Sequence, residues 1–114
     1  MTVPVELIFR GLEQTPELRE ACDRHIQRVD RLFPAMQRLE ITISAPHQHH
    51  EKSQLLSVHL EAHLPDSPNL VVSHEHHDKL DHTSGEIALR DAFKALTHQL
   101  TTWKDKRTGN VKHH

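Results

Sequence analysis

The sequence predicts an α+β fold, a two-layer sandwich in which two helices cover one face of a four-stranded sheet. Three observations predict it. Apolar residues alternate with a period of two in four segments, they recur with helical spacing in two others, and the order is β-α-β-β-β-α. A chain of 114 residues is long enough for one domain with a modest core. We expect a single domain over residues 1–108 and a basic tail over residues 109–114.

The first strand is predicted within residues 3–11, where apolar and charged side chains alternate. Glu6 and Arg10 occupy positions that face away from the core, and Ile8 is the one apolar residue on that face. The side chains expected to face the core are Val3, Val5, Leu7 and Phe9. This strand is therefore expected to be half buried.

The first helix is predicted to begin after Thr15, whose side chain suits the N-cap position. Pro16 occupies the first helical position, Glu17 lies in the first turn, and Pro34 marks the end. The residues expected on its buried arc are Leu18, Ala21, Cys22, Ile26, Val29, Leu32 and Phe33. His25 projects onto the same arc and is expected at the edge of the core with one hydrogen-bond partner. Cys22 is expected to be a small buried hydrophobe rather than a reactive thiol.

Three more strands are predicted at residues 38–45, 53–64 and 70–77, where apolar residues again alternate with polar ones. A polar loop precedes the third strand, and residues 65–69 form a tight turn because proline, aspartate, serine and asparagine favour turns. The inward-facing residues of the second and third strands are Leu39, Ile41, Ile43, Leu56, Val58, Leu60, Ala62 and Leu64.

The last helix is predicted from about Glu86 to Lys106, with Ser84 as a candidate cap. Its apolar arc consists of Leu89, Ala92, Phe93, Leu96, Leu100 and Trp103. Trp103 is expected to form a lid over the core between the helices and the sheet, with stacking on a nucleic-acid base as the second choice. Because both helices are amphipathic, they can cover the apolar face of the sheet.

The composition limits the classes of function. The lone Cys22 and the lack of a long apolar segment are typical of a soluble, cytoplasmic protein. The sequence contains no glycine-rich phosphate loop and no metalloprotease or nucleophile motif, so we expect neither an enzyme nor a cofactor. The net charge of −2 conceals an acidic middle, which holds nine of the thirteen histidines, and a basic C-terminal part.

Positive side chains form a row on each predicted helix. The row on the first helix consists of Arg24, Arg28 and Arg31. The row on the last helix consists of Arg90, Lys94, Thr97, Thr101 and Lys104. Lys106, Arg107 and Lys112 continue the positive charge toward the C-terminus, and Arg38 follows the first helix. The rows are either solvated helix faces or surfaces that contact phosphate groups.

The element order and the closing segment RDAFKALTHQLTTWKDKRTGNVKHH resemble the ribosome hibernation-promoting factor family, also called sigma 54 modulation proteins or ribosome-associated inhibitors. The resemblance covers nearly the whole chain. It is clearest in the last helix, where Asp91 is followed by the small Ala92 and the aromatic Phe93. The final GNVKHH is similar to the end of short family members.

The resemblance implies a factor that binds the small ribosomal subunit, in the channel for mRNA and tRNA, and inhibits translation in stressed or stationary cells. It implies a short form without a second domain for pairing ribosomes. We expect rRNA as the partner, with no DNA or membrane binding, and a monomer. The residues expected to contact rRNA phosphates are Arg24, Arg28, Arg31, Arg38, Arg90, Lys94, Lys104, Lys106, Arg107 and Lys112.

The alternative function is a histidine-rich, metal- or pH-responsive module on the same fold, without ribosome binding. If the turn centres on Ser67, Leu64 pairs with Leu70, and His74 and His76 face the helices. The same register places three side chains of the open sheet face in one row, namely Glu40, His59 and Glu75. Such a trio either holds a divalent ion weakly or forms an electrostatic ladder.

Histidine content also predicts a pH dependence. Protonating several histidines would make the net charge positive near about pH 6, so rRNA affinity is expected to rise as the pH falls. The loop residues His47, His49 and His50 are expected to be solvated.

Overall fold

The computed structural model describes residues 3–45, 55–77 and 84–108, and it confirms the predicted order of elements. The elements are β1 (Val5–Arg10), α1 (Pro16–Leu32), β2 (Arg38–Ser44), β3 (Leu55–His63), β4 (Leu70–His77) and α2 (Ser84–Thr108). The strands form one sheet in the order β1-β2-β3-β4. β1 is parallel to β2, which requires the crossover that α1 supplies, and the other pairs are antiparallel hairpins.

The ends of α1 are fixed by local hydrogen bonds. The Thr15 hydroxyl accepts a hydrogen bond from the Leu18 backbone N–H at 3.2 Å, and Pro16 begins the helix, as predicted. At the other end the Phe33 N–H donates to the Val29 carbonyl oxygen at 2.8 Å. The first bond satisfies an N–H that the helix cannot pair internally, and the second continues the helical hydrogen-bond pattern to Phe33.

The helix α2 is longer than predicted. It begins at Ser84, two residues before the expected start, so Ser84 is its first residue and not a cap that precedes it. Trp103, near its C-terminal end, is half buried against the core, which confirms the expected lid. Its indole Nε1–H donates to the Ser67 hydroxyl at 2.9 Å and so joins the helix to the β3–β4 turn. Neither described helix has the apolar length that crossing a membrane requires.

The core lies between the inner face of the sheet and the two helices, as the alternation and helical spacing predict. The inward side chains predicted for β2 and β3 are all buried. Burial, with a smaller contribution from the carboxylate of Asp23, raises the pKa of the Cys22 thiol to about 12. Leu32 is a wrong assignment: it is the last residue of α1 and is 40% exposed, because Phe33 takes the core position that follows it.

The register between β3 and β4 differs from the prediction by two residues. Ala62, not Leu64, lies opposite Leu70. Because side chains alternate with a period of two, this shift leaves every residue on its predicted face but changes its cross-strand partner. His74 thus faces the helices, as predicted, but lies opposite Val58.

Candidate nucleic-acid interface

The two helices lie side by side and run in the same direction. At their N-terminal ends a Cβ atom on Gly85 would lie 2.9 Å from Leu18 Cδ1. Toward their C-terminal ends the Lys104 ammonium lies 5.9 Å from the centroid of the Phe33 ring. This parallel arrangement brings the two predicted rows of cations to the two sides of one groove.

The groove between the helices is lined by cationic side chains from both helices, together with apolar and neutral ones. Near its N-terminal end it widens to about 380 Å³ between Arg24 of α1 and Arg90 of α2, with Glu86 as the acidic residue of its lining. Farther along, a space of about 300 Å³ is lined by Arg28 from α1 and by Arg90 and Lys94 from α2. We call this surface the basic groove and define it by Arg24, His25, Arg28, Arg90, Phe93, Lys94 and Thr97.

The floor of the basic groove is a pair of stacked rings. The His25 imidazole lies 4.9 Å from the Phe93 ring, centroid to centroid, and the two planes are inclined by 9°. Burial lowers the pKa of His25, and the positive charges of Arg24 and Arg28 lower it further. The prediction that His25 lies at the edge of the core is confirmed. A hydrogen-bond partner was expected for it, but the contact found among the described residues is the ring stack on Phe93.

Several cations of the groove have their charge free for an external anion. Arg24, Arg28 and Lys94 are exposed and form no ion pair with any described residue. Arg90 differs, because its guanidinium Nη2 lies 3.2 Å from an oxygen of Asp91, whose other oxygen is 3.7 Å from His74 Nε2. The charge of Arg90 is therefore partly compensated.

The remaining predicted cations separate into groups. Arg31 continues the α1 row in the last turn, and Lys104 continues the α2 row. Lys106 lies on another flank of α2, beside an apolar depression that includes Trp103. Arg107 lies over the Trp103 ring at 5.3 Å and donates to the Pro65 carbonyl oxygen at 3.3 Å. Lys112 lies outside the described residues.

Arg38 does not join the basic groove. It lies on the open face of the sheet, where its guanidinium is 3.1 Å from a carboxylate oxygen of Glu6 and 3.2 Å from one of Glu40. Arg38 follows the α1 row closely in the sequence. However, side chains alternate along a strand, and this alternation turns Arg38 to the face of the sheet opposite the helices. Two carboxylates compensate its charge there.

The open face holds an ion-pair ladder, with members other than those predicted. Glu40 lies opposite Glu61, and its carboxylate contacts His63 Nε2 at 2.9 Å. The hydrogen bond from Arg38, followed by that from His63, lowers the pKa of Glu40. The predicted trio of Glu40, His59 and Glu75 is not in one row.

The register explains why that trio is separated. His59 lies opposite Ser73, and its Nδ1 is 2.9 Å from the Ser73 hydroxyl, while Glu75 lies opposite Ser57. Across residues 3–45, 55–77 and 84–108, no three histidine, cysteine or acidic side chains are grouped to hold a metal ion. The loop histidines at positions 47, 49 and 50 lie outside those ranges.

Sequence reasoning missed His25 and Phe93 as parts of the groove. Both were assigned to buried helical arcs, and both do touch the core. The available signal was the position of His25 between Arg24 and Arg28 in the chain, at the boundary of the apolar arc and the cationic row. Only the parallel packing of the helices shows that this boundary faces Phe93.

Comparisons with known proteins agree with the fold. The family model described as sigma 54 modulation protein / S30EA ribosomal protein matches residues 5–108. A ribosomal subunit interface protein from Coxiella burnetii is similar in structure, with a TM-score of 0.67 and 17% identity over 90% of this chain and 98% of that one. The N-terminal domain of Protein Y from Thermus thermophilus is also similar in structure, with a TM-score of 0.64 and 20% identity over 90% of this chain and 99% of that one. No curated protein sequence matches this chain.

Proposed function

Since the chain belongs to the sigma 54 modulation protein / S30EA ribosomal protein family, a family of ribosome-associated factors, we propose that it binds the small ribosomal subunit through the basic groove and inhibits translation. The groove would contact rRNA phosphates, and the protein would act in the cytoplasm of stressed or stationary cells. In this role the protein works by occupying the ribosome, and no catalytic step is required.

The observation that carries this proposal is the pairing of uncompensated cations across one groove. Arg28 and Lys94 come from different helices, line the same space, and form no ion pair with any other described residue. A solvated helix face would not need its cations aligned with those of a neighbouring helix. A row of aligned positive charges, in contrast, can neutralise successive phosphate groups along a folded RNA strand.

Charge segregation explains how a chain with a net charge of −2 could bind RNA. Acidic side chains lie on the open face of the sheet, among them Glu6, Glu40 and Glu61, on the other side of the core from the groove. Two of the four acids on α1 are engaged locally: Asp23 pairs with Arg19, and Asp30 accepts a hydrogen bond from the Val3 backbone N–H at 3.1 Å. The local field at the groove, and not the net charge, governs RNA binding.

The α2 row, which continues beyond the basic groove to Lys104, has the reach to touch several phosphates. The α2 row from Arg90 to Lys104 spans about 21 Å at the helical rise of about 1.5 Å per residue. Each neutralised phosphate releases counterions, so binding should weaken with salt, with a logarithmic slope of about 0.7 to 0.9 per contact. A steep salt dependence would therefore support several simultaneous contacts.

Charge reversal at the centre of the groove tests the proposal. The double variant Arg28→Glu/Lys94→Glu places two negative charges where two positive ones face each other. We expect its affinity for purified small subunits, measured by co-sedimentation at about 0.15 M salt, to fall by at least about tenfold, with a shallower salt slope. Inhibition of in vitro translation should be lost in parallel.

A matched control is the double variant Arg10→Glu/Arg19→Glu. It changes the net charge by the same amount, and both side chains are exposed away from the groove lining. This control should retain nearly wild-type affinity. Equal weakening of both doubles would mean that only net charge matters, and wild-type binding by Arg28→Glu/Lys94→Glu would place the contact surface elsewhere.

A further inference from the structure

His25 occupies the centre of the basic groove, between cations from both helices. Its ring lines both of the wider spaces in the groove. The charged groups that face it are Arg24 and Arg28 on its own helix and Glu86, Arg90 and Lys94 on α2. One acid stands against four cations, so a proton on His25 adds charge to a site that is already strongly positive.

The ring of His25 is fixed in place while its nitrogens stay accessible. One face of the imidazole stacks on Phe93, which is itself 2% exposed and belongs to the core. Among the described residues the ring nitrogens have no hydrogen-bond partner, and no buried side-chain nitrogen or oxygen there is left unsatisfied. The nitrogens therefore meet the solvent of the groove, where an RNA phosphate would lie.

The charge state of His25 depends on what fills the groove. In the free protein, burial and the neighbouring arginines oppose its protonation and lower its pKa. Phosphate oxygens next to Arg24, Arg28 and Lys94 would offset those positive charges and accept a hydrogen bond from a protonated imidazole. An anion in the groove thus favours the cationic form of His25 that the empty groove disfavours.

We propose that His25 binds a proton when RNA phosphates enter the basic groove and so becomes a further cationic contact of the interface. This inference rests on the proposed binding of rRNA by the same groove. It assigns a pH-sensing role to one residue, in place of a general effect of the many histidines. His25 then adds a positive charge to the phosphate-binding surface, and the amount of that charge depends on pH.

The sign of the effect follows from linkage. The complex holds one more proton than the free protein at any pH between the two pKa values of His25, so affinity rises as the pH falls through that window. A single coupled proton changes the dissociation constant by at most about tenfold per pH unit. At a pH well above both values His25 is neutral in both states and makes no difference.

The test compares three chains in binding to purified small subunits at pH 6, 7 and 8. These are the wild type, His25→Phe, which keeps a ring against Phe93 but cannot protonate, and His98→Phe, a matched change at an exposed α2 position outside the groove lining. We expect the wild type and His98→Phe to gain affinity equally from pH 8 to pH 6. His25→Phe should match them at pH 8 and gain several-fold less.

A second measurement uses the wild type and a different variant, His25→Gln, and so covers the case in which His25→Phe fails to fold. Calorimetric titration of small subunits with the wild type at pH 7, in HEPES and in Tris, reports the protons taken up on binding. Net uptake that His25→Gln reduces supports the proposal. Identical pH slopes for the wild type and His25→Phe, or no uptake by the wild type, would overturn it while leaving ribosome binding intact. Absence of wild-type binding at all three pH values would overturn the proposed function itself.

Discussion

His25 of α1 stacks on Phe93 of α2 with ring centroids 4.9 Å apart and nearly parallel planes. This contact ties the basic groove to the core, because Phe93 is buried while His25 opens to the groove. The spacing of the cations on the two helices therefore depends on core packing. Because core packing fixes the helix backbones that carry these cations, RNA binding does not have to order the backbone of its contact surface.

The lowered pKa of His25, caused by burial and by the charges of Arg24 and Arg28, predicts opposite pH dependences for folding and for RNA binding. The pKa of His25 is lowered in the folded protein, so the unfolded chain binds a proton more readily. Its contribution to stability is present above the ordinary histidine pKa of about 6.5 and is lost as the pH falls through that value toward the folded pKa. The variant His25→Phe should therefore lose less stability than the wild type between pH 7.5 and pH 5.5, as measured by urea denaturation.

The control for that measurement is His98→Phe, an exposed position on α2. It should follow the wild-type pH profile. A wild-type profile as flat as that of His25→Phe would contradict the assignment of the titration to His25. A lower free energy of unfolding together with a higher ribosome affinity at the same low pH would show that His25 has opposite effects on folding and on binding.

The fold was largely predictable because its signals are local and periodic. The alternation in β2 and β3 predicts buried residues that are indeed buried, and the cap formed by Thr15 and Pro16 predicts where α1 begins. The register of β3 and β4 was not predictable in the same way. A shift of two residues preserves every face, so hydrophobic alternation cannot distinguish the two pairings.

The turn between β3 and β4 decides the register. Pro65 and Pro68 supply no backbone N–H for a ladder, and Asp66 adopts a positive φ of 56°. The Asn69 side chain donates to the Glu61 carboxylate at 2.7 Å, and Ser67 is held by Trp103. These contacts support a wider loop than a turn closed directly at Leu64 would have, and the contact between Ser67 and Trp103 depends on a helix that comes much later in the chain.

The candidate site was predictable only in part. Helical spacing alone aligns Arg24 with Arg28 and Arg90 with Lys94. It does not say that the two helices pack in parallel with their rows adjacent, which is a tertiary property. For the same reason the sequence could not show that Arg38 lies on the opposite face of the sheet, paired with Glu40.

The link between Trp103 and Ser67 predicts a measurable coupling energy. Trp103→Phe removes the indole N–H but keeps an aromatic ring against the core, and Ser67→Ala removes the acceptor. Each change should lower the free energy of unfolding, with about 1 kcal/mol attributable to the hydrogen bond. The double variant should be little worse than Trp103→Phe alone, which a double-mutant cycle in urea would measure. Full additivity of the two losses would show that the bond contributes nothing.

Gly11, just after β1, and Gly85, in the first turn of α2, should respond differently to a methyl group. Gly11 has a φ of +76°, and a Cβ there would lie 2.6 Å from the Ala45 carbonyl oxygen, a backbone atom. Gly11→Ala should therefore lower the free energy of unfolding by about 1 to 3 kcal/mol. Gly85 meets only the end of the flexible Leu18 side chain, and alanine is the better helix former, so Gly85→Ala should change stability by less than about 1 kcal/mol. Urea denaturation of both variants would check this, and comparable losses would refute it.

Glu40 should make the fold sensitive to acid through its partners on the open face. Arg38 and His63 lower its pKa, so its contribution to stability is present above the ordinary glutamate value of about 4.3 and is lost as the pH falls through the lowered value. The melting temperature of Glu40→Gln should therefore lie below that of the wild type at pH 6, and the difference should shrink toward pH 3.

The matched control is Glu20→Gln on α1, since Glu20 is exposed and forms no ion pair within the described part of the chain. It should follow the wild-type melting temperature across the whole range. Because the ladder is partly exposed, about 0.5 M salt should also reduce the Glu40→Gln difference at pH 6. A difference that is independent of both pH and salt would indicate that Glu40 acts through packing, and the electrostatic account of the ladder would then be wrong.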